Sequence, residues 1–161
     1  MRKVLIFLFV AVTTVVYGQN KSPSAYVELL RSDVRAQKVA LITEVMEFTD
    51  AQSSTFWPLH REYELELSKI GDENLKLIKA YAKHYDRMTD EKATLMIKKL
   101  FQLKESRLAL KKKYFEKIGK ALSPVVAAKF IQLENVINNL IDIQIAAELP
   151  LIESPNVTEK K

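Results

Sequence analysis

The stretch that decides the fold is STFWPLHREYELELSKIGDENLKLIKAYAKHY, residues 54–85. Its apolar residues recur at steps of three, four and seven, which is the spacing of one face of an α-helix. Pro58 should kink the helix or limit its first turns, but the apolar face keeps its phase across Gly71. We therefore predict one long, bent helix from Thr49 to about Tyr85. Its apolar face consists of Phe56, Leu59, Tyr63, Leu67, Ile70, Leu77, Tyr81 and Tyr85.

Short polar motifs mark the starts of this helix and of two others. In FTDAQ, Thr49 and Gln52 have the spacing of a capping box, in which each side chain bonds the backbone N–H of the other. Thr89 and Ser123 are expected to cap two further helices. Pro124 suits the first helical position, because its missing N–H costs nothing there. The four predicted helices cover residues 25–46, 49–85, 89–121 and 124–147.

The composition agrees with an all-α fold. Only 3 glycines and 5 prolines occur in 161 residues, too few for the many tight turns of a β-sandwich or barrel. The fourth helix carries dense rows of apolar residues, which makes it the best candidate for a buried central element. We predict an all-α fold of four helices with a long helical hairpin, capped helix starts and no sheet.

The N-terminal segment is typical of a secretory signal peptide. A basic start, Met1–Lys3, precedes an apolar run over residues 4–16, and small residues at Val16 and Gly18 fit a cleavage site. The run is shorter than the ~20 residues that a membrane span needs. We therefore expect an exported protein. The predicted segments are a signal peptide at 1–18, a linker at 19–24, a helical domain at 25–148 and a disordered tail at 149–161.

The sequence shows no catalytic or metal-binding set. His60 and His84 would lie about 36 Å apart on one continuous helix, at ~1.5 Å per residue, so they cannot share a metal within the chain. His60 and Glu64 have the spacing of a common surface pair. Without the signal peptide the formal net charge falls from +5 to +3, and cysteine is absent. We expect no enzyme activity, no cofactor, no metal site, no disulfide and no nucleic-acid partner.

The third predicted helix concentrates basic residues. Nine basic residues and only two acidic ones occur between Lys98 and Lys120. Four of the lysines are expected to be solvated, namely Lys98, Lys112, Lys113 and Lys120. Three basic residues at steps of three and four fall within the apolar arc of the helix instead. This basic row consists of Lys104, Arg107 and Lys111.

Two interpretations of the basic row remain open. Its members could pair with carboxylates on neighbouring helices, because buried charges need partners. They could instead line a groove that is apolar and cationic together, with long basic side chains lying along apolar surface. Such a groove would suit unfolded or partner polypeptides. The candidate pairing partners include Glu64, Glu66 and Glu134, and the candidate binding residues are Lys104, Arg107, Lys111, Phe101, Leu108 and Phe115.

The order of these features resembles that of the Spy and CpxP family of bacterial periplasmic proteins. The family is marked by two copies of a Leu-Thr-x-x-Gln motif. FTDAQ matches the first copy with Phe48 in place of Leu. LSPVV, which begins at Leu122, matches the second in part, with Ser123 for Thr and Val126 for Gln. The basic helix that ends in YFEKIGKALSP is also similar, and the resemblance covers residues 48–145.

The resemblance implies a four-helix protein whose long hairpins form an antiparallel homodimer shaped as a thin, curved cradle. Members act as chaperones without ATP, some inhibit an envelope-stress sensor kinase, and related members bind zinc or confer metal tolerance. We therefore expect an exported ATP-independent chaperone or stress adaptor in the periplasm, with unfolded proteins or a sensor-kinase periplasmic domain as partners. The alternative is a dedicated interaction or sensor-inhibitor module, or a metal-tolerance protein.

Overall fold

The computed structural model describes residues 37–152. Within them, residues 37–46 are helical (α1), α2 is Asp50–His84, α3 is Asp90–Ala121 and α4 is Pro124–Glu148. A 3-10 turn, Tyr85–Arg87, joins α2 to α3, and no strand occurs between residues 37 and 152. α3 packs against both α2 and α4. The predicted all-α fold with a helical hairpin is confirmed.

Several predicted segments lie outside the described residues. These are the signal peptide at 1–18, the linker at 19–24, the first half of the first helix at 25–36 and the end of the tail at 153–161.

The long second helix is continuous, as its phase predicted. α2 passes through Gly71 and contains Pro58 without ending there. Pro58 cannot donate to the carbonyl of Ser54, four residues earlier. Both residues are exposed, so water can satisfy that carbonyl. The helix therefore tolerates the proline on its outer side.

Each of the three long helices begins at a capping side chain. The Thr49 Oγ1 accepts a hydrogen bond from the backbone N of Gln52 at 3.3 Å, and the Gln52 Oε1 accepts one from the backbone N of Thr49 at 3.1 Å. This reciprocal pair is a complete capping box. α3 and α4 have only the first of these two hydrogen bonds. The position of Gln52 is taken by Lys92 in α3 and by Val126 in α4, and neither side chain can accept a bond from the cap N–H. Their cap residues are Thr89 and Ser123.

An aromatic core lies at the end of the bundle where α1 packs against the other helices. Its fully buried rings are those of Phe56, Tyr63, Tyr114 and Phe130. The Tyr63 ring meets those of Tyr114 and Phe130 edge-on, with centroids 5.3 and 5.4 Å away, an arrangement that aromatic pairs favour. From α1, Ile42 and Met46 pack into the same cluster. All four helices thus share one core.

α4 is not the buried central element that its apolar density predicted. Its side chains Val136, Leu140 and Ile143 are half or more exposed. Its buried face includes the polar residues Glu134 and Asn138. α3 takes the central position instead, between α2 and α4. The apolar residues of α4 are distributed around all sides of the helix. Only one of these sides packs against the other helices, so the rest of the apolar residues stay at least partly exposed.

The capping box gives a first prediction. Replacing Thr49 with Ala should cost ~1 kcal/mol of unfolding free energy, because the backbone N–H of Gln52 loses its acceptor at the start of α2. Urea denaturation followed by circular dichroism measures the change. Thr94→Ala is the matched control. The exposed Thr94 hydroxyl donates to the Asp90 carbonyl, and this bond does not cap the start of a helix. Equal effects of the two substitutions would contradict the prediction.

Candidate functional site

The basic row lines an open groove between α3 and α4. The groove has a volume of about 460 Å³. Its α3 wall carries Lys104, Arg107 and Lys111 together with the apolar side chains Leu108 and Phe115. Its α4 wall is mainly polar and consists of Ile131, Asn135, Asn138, Asn139 and Asp142. We call this surface the basic groove.

The three apolar residues predicted for the site are all exposed on α3. Leu108 is 54% exposed and Phe101 is 57% exposed, whereas Phe115 is at 36%. Leu108 and Phe115 line the basic groove, and Phe101 lies outside its lining. Large apolar side chains at this exposure lose contact with water only when a ligand or partner covers them.

The three cations of the basic row differ in how they are satisfied. Arg107 Nη1 lies 3.2 Å from both carboxylate oxygens of Asp142. Lys111 Nζ donates to the amide oxygen of Asn135 at 2.7 Å. Burial, together with the charge of Arg107, lowers the pKa of Lys111 below its ordinary value. Lys104 is exposed and has no ion-pair partner among residues 37–152. The basic row therefore combines an arginine in an ion pair, a lysine bonded to an amide and a lysine whose charge is unpaired within residues 37–152.

None of the carboxylates that the sequence suggested as partners contacts this row. Glu66 instead forms an ion pair with Lys113 at 2.7 Å and accepts a hydrogen bond from the Tyr114 hydroxyl at 2.9 Å. These hydrogen bonds hold the pKa of Glu66 below its usual range, and burial raises the pKa of Tyr114. Lys117 pairs with Glu62 at 2.9 Å. Lys113 lies on an exposed face, as the sequence predicted, and there it forms a surface ion pair between α3 and α2.

A buried charge cluster holds the other two suggested carboxylates. The α1 residue Lys38 places its Nζ 2.5 Å from Glu64 Oε1 and 2.6 Å from Glu134 Oε1. Glu134 is fully buried and Lys38 is 6% exposed. The second oxygen of Glu134 accepts from the Tyr63 hydroxyl at 2.8 Å, and the Asn138 amide donates to the Glu134 backbone carbonyl at 2.6 Å. Burial and the Glu134 carboxylate raise the pKa of Tyr63. A single lysine thus ties α1 to α2 and α4.

Sequence reasoning missed this cluster, because a lysine is normally assigned to the surface of a helix. The signal was present in the spacing. Lys38, Ile42 and Met46 follow one another at steps of four, and all three are buried. A lysine in step with buried residues indicates a buried cation that needs a carboxylate on another helix.

His60 is a core residue and not half of a surface pair with Glu64, as its spacing had indicated. It is 3% exposed, and its Nε2 lies 3.7 Å from Glu64 Oε1, too far for a hydrogen bond. Burial, aided by the nearby Lys38 charge, lowers its pKa to about 4. Its ring packs against those of Phe56, Trp57 and Phe130. In residues 37–152, no three histidine, aspartate or glutamate side chains are placed to hold a metal ion.

Comparisons with protein-family models, with curated proteins and with solved structures found no significant match to the chain. The resemblance to the Spy and CpxP family therefore rests on the motifs at 48–52 and 122–126 and on the order of the helices. Among the helices of residues 37–152, none combines the length and the apolar character that crossing a membrane requires.

His60 gives a prediction on pH. The unfolded chain takes up this proton near pH 6.5 and the folded chain only near pH 4, so the unfolded state binds more protons between these values. Stability must therefore fall as the pH falls through this window. Between pH 7 and pH 5 the loss from His60 should reach about 2 kcal/mol of unfolding free energy. Urea denaturation at pH 7, 6 and 5 measures it.

The control for this experiment is a pair of histidine variants. His60→Leu should flatten most of the pH dependence between pH 7 and pH 5, because the proton uptake of His60 is removed. His84→Gln, on the same helix, should keep the dependence of the parent protein. A His60→Leu variant with an unchanged slope between pH 7 and pH 5 would show that other groups cause it.

The buried cluster gives a third prediction. Lys38→Met should cost about 3–5 kcal/mol of unfolding free energy, because the Glu134 carboxylate is left buried without its cation. Adding Glu134→Gln should recover much of that loss, since no buried charge remains. Lys76→Met is the surface control; it breaks the exposed pair with Glu73 and should change stability little. A double variant no more stable than Lys38→Met would contradict this account.

Proposed function

We propose that this protein is an exported, ATP-independent helical chaperone or envelope-stress adaptor, which binds unfolded or partner polypeptides in the basic groove. The observation that carries the proposal is the combination found on one wall of that groove. Leu108 and Phe115 are exposed beside Lys104, Arg107 and Lys111. Exposed apolar surface rimmed by polar groups is typical of a protein interaction site.

The chemistry of the groove suits an extended polypeptide with little sequence preference. Leu108 and Phe115 offer non-directional apolar contact, which any hydrophobic side chain can use. Lys104 offers an uncompensated charge to acidic residues. On the opposite wall, the amides of Asn135 and Asn139 carry both donors and acceptors, which are the groups that an unpaired backbone needs.

The strength of such binding should be moderate. Covering one large apolar side chain contributes roughly 1.5–3 kcal/mol, and part of that gain is lost to the ordering of the bound chain. A shallow groove with two such side chains therefore binds and releases a client reversibly. Release then requires no nucleotide, which agrees with the proposed ATP-independent action.

Suppression of aggregation tests the proposal. Purified protein at a 1:1 ratio should slow the light scattering of a chemically unfolded client without ATP. The double variant Leu108→Ser, Phe115→Ser should lose at least about half of this effect, because the apolar contribution of the groove is removed. Circular dichroism and thermal melting of the variant verify that the helices remain.

Leu95→Ser provides the matched control. Leu95 is also a leucine of α3 and is 60% exposed, but it lies outside the basic groove. Its replacement should leave the suppression of aggregation intact. No suppression with several unrelated clients, or equal effects of the control and the double variant, would overturn the proposal.

The adaptor form of the proposal has a supporting observation of its own. Val136, Leu140 and Ile143 on α4 are exposed and recur at steps of four and three, which is the spacing of a helix-helix seam. Capture of one dominant envelope protein that is lost with Leu140→Glu, together with no effect on client aggregation, would favour the dedicated adaptor over the general chaperone.

A further inference from the structure

A second cavity lies between α2, α3 and the end of α4, next to the basic groove. Its volume is about 370 Å³. Apolar side chains make up most of its lining, and Asn74 is a polar exception on α2. We call this cavity the apolar cleft. Its central lining residues are Leu77, Ile78, Met96, Leu100, Leu103 and Ile145.

The chain that follows α4 forms one wall of the apolar cleft. Leu149, Pro150 and Leu151 all line it. Leu149 packs against the small buried cluster that contains Ile78, and the Tyr81 hydroxyl donates a hydrogen bond to the Pro150 carbonyl. The start of the predicted tail is therefore attached to α2, and it forms part of the lining of the cleft.

One end of the apolar cleft is cationic. Lys104, Arg107 and Asp142 line both this cleft and the basic groove. Asp142 is already paired with Arg107, so the charge of Lys104 remains available. The Nε of Arg107 is buried and has no hydrogen-bond partner among residues 37–152. This end therefore offers the positive charge of Lys104, while most of the remaining lining is apolar.

We propose that the apolar cleft binds a single-chain anionic amphiphile. The alkyl chain lies among the leucines and isoleucines of α2 and α3, and the acid group lies at Lys104 and Arg107. The volume is near the lower end of the range for ligand pockets, about 300–1,000 Å³, which suits one alkyl chain and not two. The charge at the cationic end selects an anionic head over a cationic or neutral one.

Calorimetry with defined amphiphiles tests this site. Sodium dodecanoate, kept below its micelle concentration, should bind the purified protein at one site per chain. Dodecyltrimethylammonium, with the same alkyl chain and the opposite charge, should bind at least about tenfold more weakly. Lysophosphatidylglycerol in place of dodecanoate distinguishes the two sources of such a ligand, because the tighter of the two identifies a lipid headgroup or a free fatty acid.

Two variants localise the binding. Ala146→Phe places a ring in the cleft from an exposed position on α4, so it should abolish dodecanoate binding while the fold is kept. Lys104→Ser should weaken binding about tenfold, since it removes a charge-assisted contact. Lys98→Ser, an exposed lysine of the same helix outside the cleft, is the control and should bind as the parent does.

Several results would overturn the site. These are no saturable binding of dodecanoate, equal affinity for the cationic amphiphile, and unchanged binding by Ala146→Phe with intact circular dichroism. A second copy of the chain could occupy the cleft instead, and sedimentation of the parent protein and of Ala146→Phe in the same buffer tests this. A lower mass of Ala146→Phe would show that the cleft is a contact between two copies of the chain, and it would overturn the amphiphile site.

Discussion

The rest of the structure depends on one constraint, which is that the Glu134 carboxylate lies fully buried inside an aromatic core. A lone buried carboxylate is costly, and three helices provide its partners: Lys38 from α1, Tyr63 from α2 and, at 3.4 Å, the Asn138 amide from α4 itself. Such a cluster adds little net stability over an apolar core of the same shape. We expect its main effect to be on specificity, because a docked position of α1 that moved Lys38 away would leave the Glu134 carboxylate buried without its cation. Glu47, with a φ of 52°, ends α1 in the left-handed conformation that is common directly after helices.

The same constraint explains why apolar side chains remain on the surface. Glu134 and Asn138 occupy inward positions of α4, so part of its large apolar content points outward, at Leu140 and Ile143 among others. On α3, the inward face is taken by Leu103, Leu110, Tyr114 and Ile118, and the apolar residues beside the basic row are left exposed. A chain with this much outward apolar surface is expected to meet a partner or ligand there.

Periodicity predicted the elements well, and it predicted partners poorly. The capping box at Thr49 and the unbroken phase across Gly71 depend on neighbours within a few residues, so the sequence alone determines them. Which charges meet depends on how the helices rotate against one another. Arg107 therefore pairs with Asp142 and not with the suggested glutamates. The burial of Lys38 and His60 likewise follows from the packing of the helices and was not predicted from the sequence. Apolar density also misled for α4, because a count of apolar residues does not say how many neighbours are available to cover them.

The two proposed sites share a wall, and this has a thermodynamic consequence. Lys104 and Arg107 face both the basic groove and the apolar cleft. An acid group held at that wall from the cleft would use the charge that an acidic client needs in the groove. By linkage, each ligand would then weaken the other by the same factor. The effect should be confined to acidic clients, since apolar contact with Leu108 and Phe115 does not involve that charge. A bound amphiphile would thereby lower the affinity of the basic groove for acidic polypeptides and leave its affinity for other polypeptides almost unchanged.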